Sequence, residues 1–267
     1  MTTVSPPSTE FNFAQHLIDA NKSRDNKVAL IDDAGQLTYG QLADSVQRFA
    51  SGLQSLGLKR EERVLLLMQD CTDWVVAFLG SLYAGIVPVA VNTLLTAEDY
   101  AYMLANSRAQ AALVSSTLLP ILQTALGQSR HEVRSIVVSR PQTTLSDGQI
   151  DMAALIKSNA HGAVAPTFAD EPAFWLYSSG STGKPKGTVH TQGNLFWTAE
   201  LYGKGVLQLR ESDTVFSAAK LFFAYGLGNA MTFPLSVGAT VVLMAERDRK
   251  STRLNSSHMS ESRMPSS

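Results

Sequence analysis

The sequence predicts an α/β fold, built of βαβ units whose mainly parallel sheets are covered by helices. Two observations predict it. The 267 residues are 45% hydrophobic with a formal net charge of -1, the composition of a globular chain with a sizeable core. Short continuous apolar runs also alternate along the chain with segments whose apolar residues recur every three or four positions.

The alternation begins after a polar lead. In "TYGQLADSVQRFASGLQSLGL", Leu42, Val46, Phe49, Leu53 and Leu56 form an amphipathic helical stripe. Thr38 and Gln41 stand at capping-box spacing, and Gly57 supplies a stop. "RVLLLMQ" (63–69) reads as a strand, "TDWVVAFLGSLYA" as a helix, and "IVPVAVN" as the next strand. Thr96 and Asp99 cap a helix over "AEDYAYMLANS", and "AALVSS" and "SIVVS" (135–139) read as two further strands. Such units take right-handed crossovers, with helices on both sheet faces. Residues 151–172 read as looser, with "HGAVAPTFADEP" (161–172) a loop between subdomains, and a second α/β unit is expected from "AFWLY". "GATVVLMAE" reads as a buried strand, and the chain contains no internal repeat.

Charge and cysteine content narrow the function classes. With 22 basic against 23 acidic residues, no global field draws nucleic acid or an anionic membrane, so an anionic ligand needs a local site. Cys71 is the single cysteine, which excludes an intramolecular disulfide and fits a reducing cytoplasm. No stretch reaches the roughly 18 apolar residues of a membrane span, and the N-terminus has no signal-peptide pattern. His16, His131 and His161 have no partners at metal or triad spacing and read as surface residues; Cys71 reads as a strand-end residue without a base to activate it.

The stretch with chemistry in it is "LYSSGSTGKPKGTVH" (176–190). Gly180, Gly183 and Gly187 permit positive φ and close backbone approach. Ser178, Ser179, Ser181 and Thr182 can donate hydroxyl hydrogen bonds, and Lys184 and Lys186 supply charge. The P-loop pattern does not fit: the required leading glycine is Ser178, the required Ser or Thr after Gly-Lys is Pro185, and the following "GTVHT" is strand-like. On composition alone, a flexible turn and a phosphate-holding hairpin both remain open.

The ordered string "YSSGSTGKPKG" resembles the phosphate-binding signature of adenylate-forming (AMP-binding) enzymes, the superfamily of acyl- and aryl-CoA ligases, luciferases and peptide-synthetase adenylation domains. The resemblance runs over about residues 10–247, and "KLFFAYGLGNAMTFPLSVGATVVLMAER" (220–247) looks most like benzoate–CoA and related aryl-CoA ligases. It implies a large-domain fragment of an AMP-forming acid–CoA ligase that uses ATP, Mg²⁺ and coenzyme A on a small aromatic acid. By resemblance, Ser178, Ser179, Gly180, Ser181, Thr182, Gly183, Lys184, Lys186 and Gly187 face the ATP phosphates. Phe223, Ala224, Tyr225 and Gly226 line the acid pocket, although aromatic residues beside an apolar run read equally as core.

The resemblance also implies what lies elsewhere. The acidic Mg²⁺ ligand, the ribose-binding aspartate, the hinge and the C-terminal lysine belong to later segments of the family, so residues 1–247 are expected to be the N-terminal part of the large domain and to be inactive alone. Many relatives carry Thr-His after the loop, where Thr191-Gln192 stands here, with His190 earlier. Residues 248–267 are polar, and "DRKSTRLNSSH" resembles the in-frame translation of a sequencing adapter, so this tail is expected to be non-native or disordered. The resemblance admits a homodimer of the full-length enzyme. Three rival readings stay open: a fatty-acid or hydroxycinnamate ligase of the same superfamily, a non-catalytic nucleotide- or aromatic-acid-binding module, and a kinase or nucleotide triphosphatase.

Overall fold

Two sheets, of seven and four strands, organise the described residues. The structure, a computed structural model, describes residues 4–178 and 184–246. Helix α1 (Phe13–Ala20) starts where the Asn12 side chain accepts from the Gln15 amide. A hairpin follows, β1 (Val28–Asp32) and β2 (Gly35–Thr38), and then α2 (Tyr39–Ser55). The expected capping box of Thr38 and Gln41 is formed in full, the stripe Leu42, Val46, Phe49 and Leu53 is buried, and the chain turns at Gly57 with φ 79°.

The predicted alternation then unfolds in order: β3 (Arg63–Leu67), α3 (Thr72–Tyr83), β4 (Val87–Ala90), α4 (Ala97–Ser107), β5 (Ala111–Ser115), α5 (Leu119–Gln128) and β6 (Ser135–Ser139). Thr96 and Asp99 close the second capping box as expected. Strand β7 (Gln149–Asp151) leads into α6 (Met152–Ser158), and β8 (Pro172–Ser178) and β9 (Lys186–Thr191) form a hairpin. The last described part holds α7 (Gln192–Thr198), a π-helical turn at Ala199–Lys204, β10 (Thr214–Phe216), α8 (Ala224–Leu227), a second π-helical turn at Gly228–Thr232, α9 (Phe233–Val237) and β11 (Thr240–Val242).

The large sheet has the order β7-β6-β5-β3-β4-β8-β9, parallel except for the edge strand β9. Its central strands β3, β4 and β5 are apolar over most of their length because both faces are covered. Val64 and Leu66 of β3 point into the core shared with α2 and α3, while Leu65 and Leu67 join Tyr100, Leu104 and Leu122 on the opposite face. The small sheet, β10-β11-β1-β2, pairs strands from opposite ends of the described chain, with β1 parallel to β11.

The loop read at 161–172 holds apart from its last residue, but the looser stretch ahead of it contains a helix that was not read: Asp151 caps α6, whose Met152 and Leu155 are buried. A seven-residue helix with so few inward side chains leaves too short a stripe for periodicity to register. Strand β8 does not open a separate unit; it extends the first sheet beside β4, pairing Val89 with Trp175 and Ala90 with Leu176.

Candidate active site

The stretch 176–190 is a hairpin at the C-terminal edge of the parallel strands, where open α/β sheets receive their ligands. Tyr177 pairs with Gly187 and Ser178 with Lys186. Among the site residues read from sequence, Ser178 ends β8 and is exposed, Lys184 and Lys186 are exposed, and Gly187 lies in β9. A Cβ on Gly187 would sit 3.0 Å from the Trp175 ring, so glycine is what lets the two strands cross closely there. Ser179, Gly180, Ser181, Thr182 and Gly183 lie outside the described residues.

Helix α4 braces this hairpin with two polar contacts. The Tyr177 hydroxyl donates to Asn106 Oδ1 at 2.6 Å, and the Lys184 ammonium lies 5.3 Å from the centre of the Tyr102 ring. The second contact is a cation–π geometry. Burial pushes the Tyr177 phenol up, so it is a hydrogen-bond donor at any physiological pH.

The segment 219–228 approaches the same edge of the molecule. Leu221 and Phe222 are buried, whereas Phe223 (49% exposed), Ala224 and Tyr225 (68%) are surface residues and Gly226 is buried. The core reading therefore applies to Leu221, Phe222 and Leu227, and not to Phe223 or Tyr225. A Cβ on Gly226 would lie 2.0 Å from the Lys220 carbonyl oxygen, so the backbone folds back on itself as only glycine permits. The Leu221 amide donates to both carboxylate oxygens of Asp70 at 3.3 Å, and Lys220 Nζ lies 4.0 Å from Asp70 Oδ2. Asp70 follows β3, and β3 is separated from β8 only by β4, about 10 Å at the usual strand spacing. Burial pushes the Asp70 carboxyl up to about 6, against the opposing pull of Lys220 and of the Leu221 amide.

The profile of the family described as AMP-binding enzyme matches residues 18–259. The chain belongs to the AMP-binding enzyme family. A benzoate–CoA ligase of Thauera aromatica is 48% identical over 251 residues, covering 91% of this chain and 46% of that relative. A 4-hydroxybenzoate–CoA/benzoate–CoA ligase of Rhodopseudomonas palustris is 42% identical, covering 90% and 44%. Among solved structures, a benzoate CoA ligase from Burkholderia xenovorans matches with a TM-score of 0.84 at 50% identity over 92% of this chain and 47% of that one. An anthranilate CoA ligase in complex with anthranoyl-AMP matches with a TM-score of 0.88 at 32% identity, over 94% and 48%. The chain thus spans about half the length of the curated relatives it matches.

The side chains that the Thr-His departure put in question are now located within the family fold. Gln192 is 1% exposed, and its Oε1 accepts from the Phe13 amide at 2.9 Å, so it ties α7 to α1. His190 stacks on Phe174 with ring centres 4.7 Å apart, and burial lowers its pKa. His16 is not a surface residue: its ring is half-buried against Phe11 and Phe196, each 5.4 Å away, and burial lowers its pKa. Both His131 and His161 are exposed, His161 bonded to Asp44 at 2.6 Å. Cys71 is buried immediately ahead of α3 with its thiol pushed up to about 12, which removes it as a nucleophile.

Asp70, Lys220, Tyr102 and Asn106 were invisible to motif reading. The available signal was positional: "LMQDC" places an acid just beyond a fully apolar strand, at the ligand edge of a parallel sheet. No helix among the described residues is long and apolar enough to cross a membrane. No cluster of three or more His, Cys, Asp or Glu suited to a metal occurs among the described residues either.

Proposed function

We propose that this chain is the phosphate- and acid-binding portion of a cytoplasmic, ATP-dependent aryl-CoA ligase acting on benzoate or a closely related aromatic acid. The observation that carries the reading is the β8–β9 hairpin, 176–190 in sequence, whose Ser178–Lys186 pair stands at the C-terminal edge of the parallel sheet. It combines hydroxyl donors, glycines and two lysines at the one edge where such sheets take ligands. The aromatic-acid relatives, at 48% and 42% identity, support the substrate class.

In the first half-reaction, a carboxylate oxygen attacks the α-phosphorus of ATP and the bond to pyrophosphate breaks. Two anions must meet, so Lys184 and Lys186 neutralise phosphate charge while Ser178, Ser181 and Thr182 donate hydrogen bonds to the departing group. In the second half-reaction the thiol of coenzyme A attacks the acyl-adenylate carbonyl, and AMP leaves as the carbon–oxygen bond breaks. Phe223 and Tyr225 offer aromatic faces for the ring of the acid, and Ala224 leaves space between them. Mg²⁺, when bound, would shield the phosphate oxygens.

On this reading the 267 residues alone bind ligand without completing thioester formation. The test is a mass-spectrometric assay of acyl-adenylate and acyl-CoA with ATP, coenzyme A and a panel of benzoate, a hydroxycinnamate and a fatty acid. It is run on this chain and on the whole open reading frame of its source locus. The reading predicts benzoyl-CoA from the whole frame only. Preference for the fatty acid, or no adenylate from any acid, overturns it.

A further inference from the structure

We infer that Lys220 is a positioning residue for the aromatic segment Phe223–Tyr225, its one ammonium tying the ends of both sheets to that segment. The inference deepens the proposed function and rests on it for the segment's role. Lys220 Nζ donates to the carbonyl of Met244 at 2.5 Å and of Glu246 at 2.6 Å, with Ala245 at 3.4 Å and Asp70 Oδ2 at 4.0 Å. Those carbonyls lie beyond Val242, the last residue of β11, where the chain leaves the small sheet. Asp70 lies beyond the end of β3 in the large sheet.

The other end of the same residue sits under the aromatic segment. The Lys220 carbonyl accepts from the Phe223 amide at 3.0 Å, and it fills the space a Cβ on Gly226 would need. Leu221, next in sequence, is fixed through its amide to the Asp70 carboxylate. An ammonium with three directional donors suits this junction, since it satisfies carbonyls and a carboxylate from one point. Phe223, Ala224 and Tyr225 make little buried contact of their own, so the backbone beneath them sets where the rings stand. Lys220 acts through that backbone.

The test uses the 267-residue chain and the variants K220M and K220R. Hydrogen exchange read by mass spectrometry should rise about tenfold or more in peptides spanning 221–227 of K220M, with β3, β5 and β8 peptides unchanged. The dissociation constant for benzoate, measured by equilibrium dialysis, should rise about tenfold while that for ATP changes less than about twofold. K220R keeps the charge and should recover most of both effects, and it carries the test if K220M does not fold. Unchanged exchange in 221–227, a uniform rise over the whole chain, or equal losses of ATP and benzoate affinity would each overturn the inference. If no form of the chain binds benzoate, the proposed substrate fails for this chain, while the exchange pattern still decides whether Lys220 holds the segment.

Discussion

Arg60 grips Glu171 through two parallel bonds, Nε to Oε1 at 2.9 Å and Nη2 to Oε2 at 2.6 Å. The Glu171 side chain is 8% exposed and precedes β8, the strand that leads into the proposed phosphate-binding stretch, while Arg60 precedes β3. Removing the guanidinium strands a buried carboxylate, so R60M should cost about 2 kcal/mol, reduced from the fully buried case because Arg60 is 37% exposed. E171Q in the R60M background should recover part of that loss in urea unfolding. Additive losses would show that the two side chains do not interact.

Asp70 gives a pH-dependent prediction. Its carboxyl is pushed up to about 6 from an ordinary 3.8, chiefly by burial. A raised folded value means that the folded chain holds the proton more tightly than the unfolded one. The resulting stabilisation is present below about pH 4 and lost as pH rises through about 6. D70N has no such titration, so the stability difference between wild type and D70N should shift by on the order of 3 kcal/mol in favour of D70N between pH 4 and pH 7.5. Urea midpoints of both proteins at the two pH values check it, and a constant difference contradicts it.

Much of this architecture could be read before any coordinates, and the failures are instructive. The two capping boxes, at Thr38 and Thr96, are local in sequence, and both form as read. The β8–β9 hairpin was legible because a run rich in glycine, serine and lysine separates the apolar "AFWLY" from the strand-like "GTVHT". Pairing of β1 with β11 was not legible, since more than 200 residues separate Leu30 from Val241 and no local pattern encodes their register. The same holds for Asp70 with Lys220. His16 misled because a lone polar residue on a short helix reads as surface, while its aromatic neighbour Phe196 lies far along the chain.

For the phosphate loop, K184A and K186A should each weaken ATP binding about tenfold or more, the value of one charge-assisted contact to phosphate. Both lysines are exposed, so thermal stability should stay within about 0.5 kcal/mol of wild type. Calorimetric titration with ATP and a melting curve separate the two quantities. Unaltered ATP affinity in both variants would remove these lysines from the phosphate site.

Cys71 should be chemically silent in the folded chain. Its thiol is buried and pushed up to about 12, so almost none is thiolate near neutral pH. Ellman's reagent at pH 8 should label less than about a tenth of the protein within the time that labels unfolded chain completely. Rapid labelling without denaturant would contradict the burial.

Gly226 and Tyr225 are neighbours with opposite expected behaviour. G226A would drive a methyl to within 2.0 Å of the Lys220 carbonyl oxygen and 2.6 Å of that of Ala219. Backbone cannot step aside as a flexible side chain can, so the substitution should cost about 3 kcal/mol. Y225A removes a ring that is 68% exposed and should change stability by less than about 0.5 kcal/mol. Both should weaken benzoate binding, one by displacing the segment and the other by removing an aromatic face. The pairing matters because the two effects separate position from contact: urea unfolding must distinguish the variants while equilibrium dialysis with benzoate must not. A Y225A chain that binds benzoate as wild type does would take the tyrosine out of the pocket and leave Phe223 as the aromatic wall.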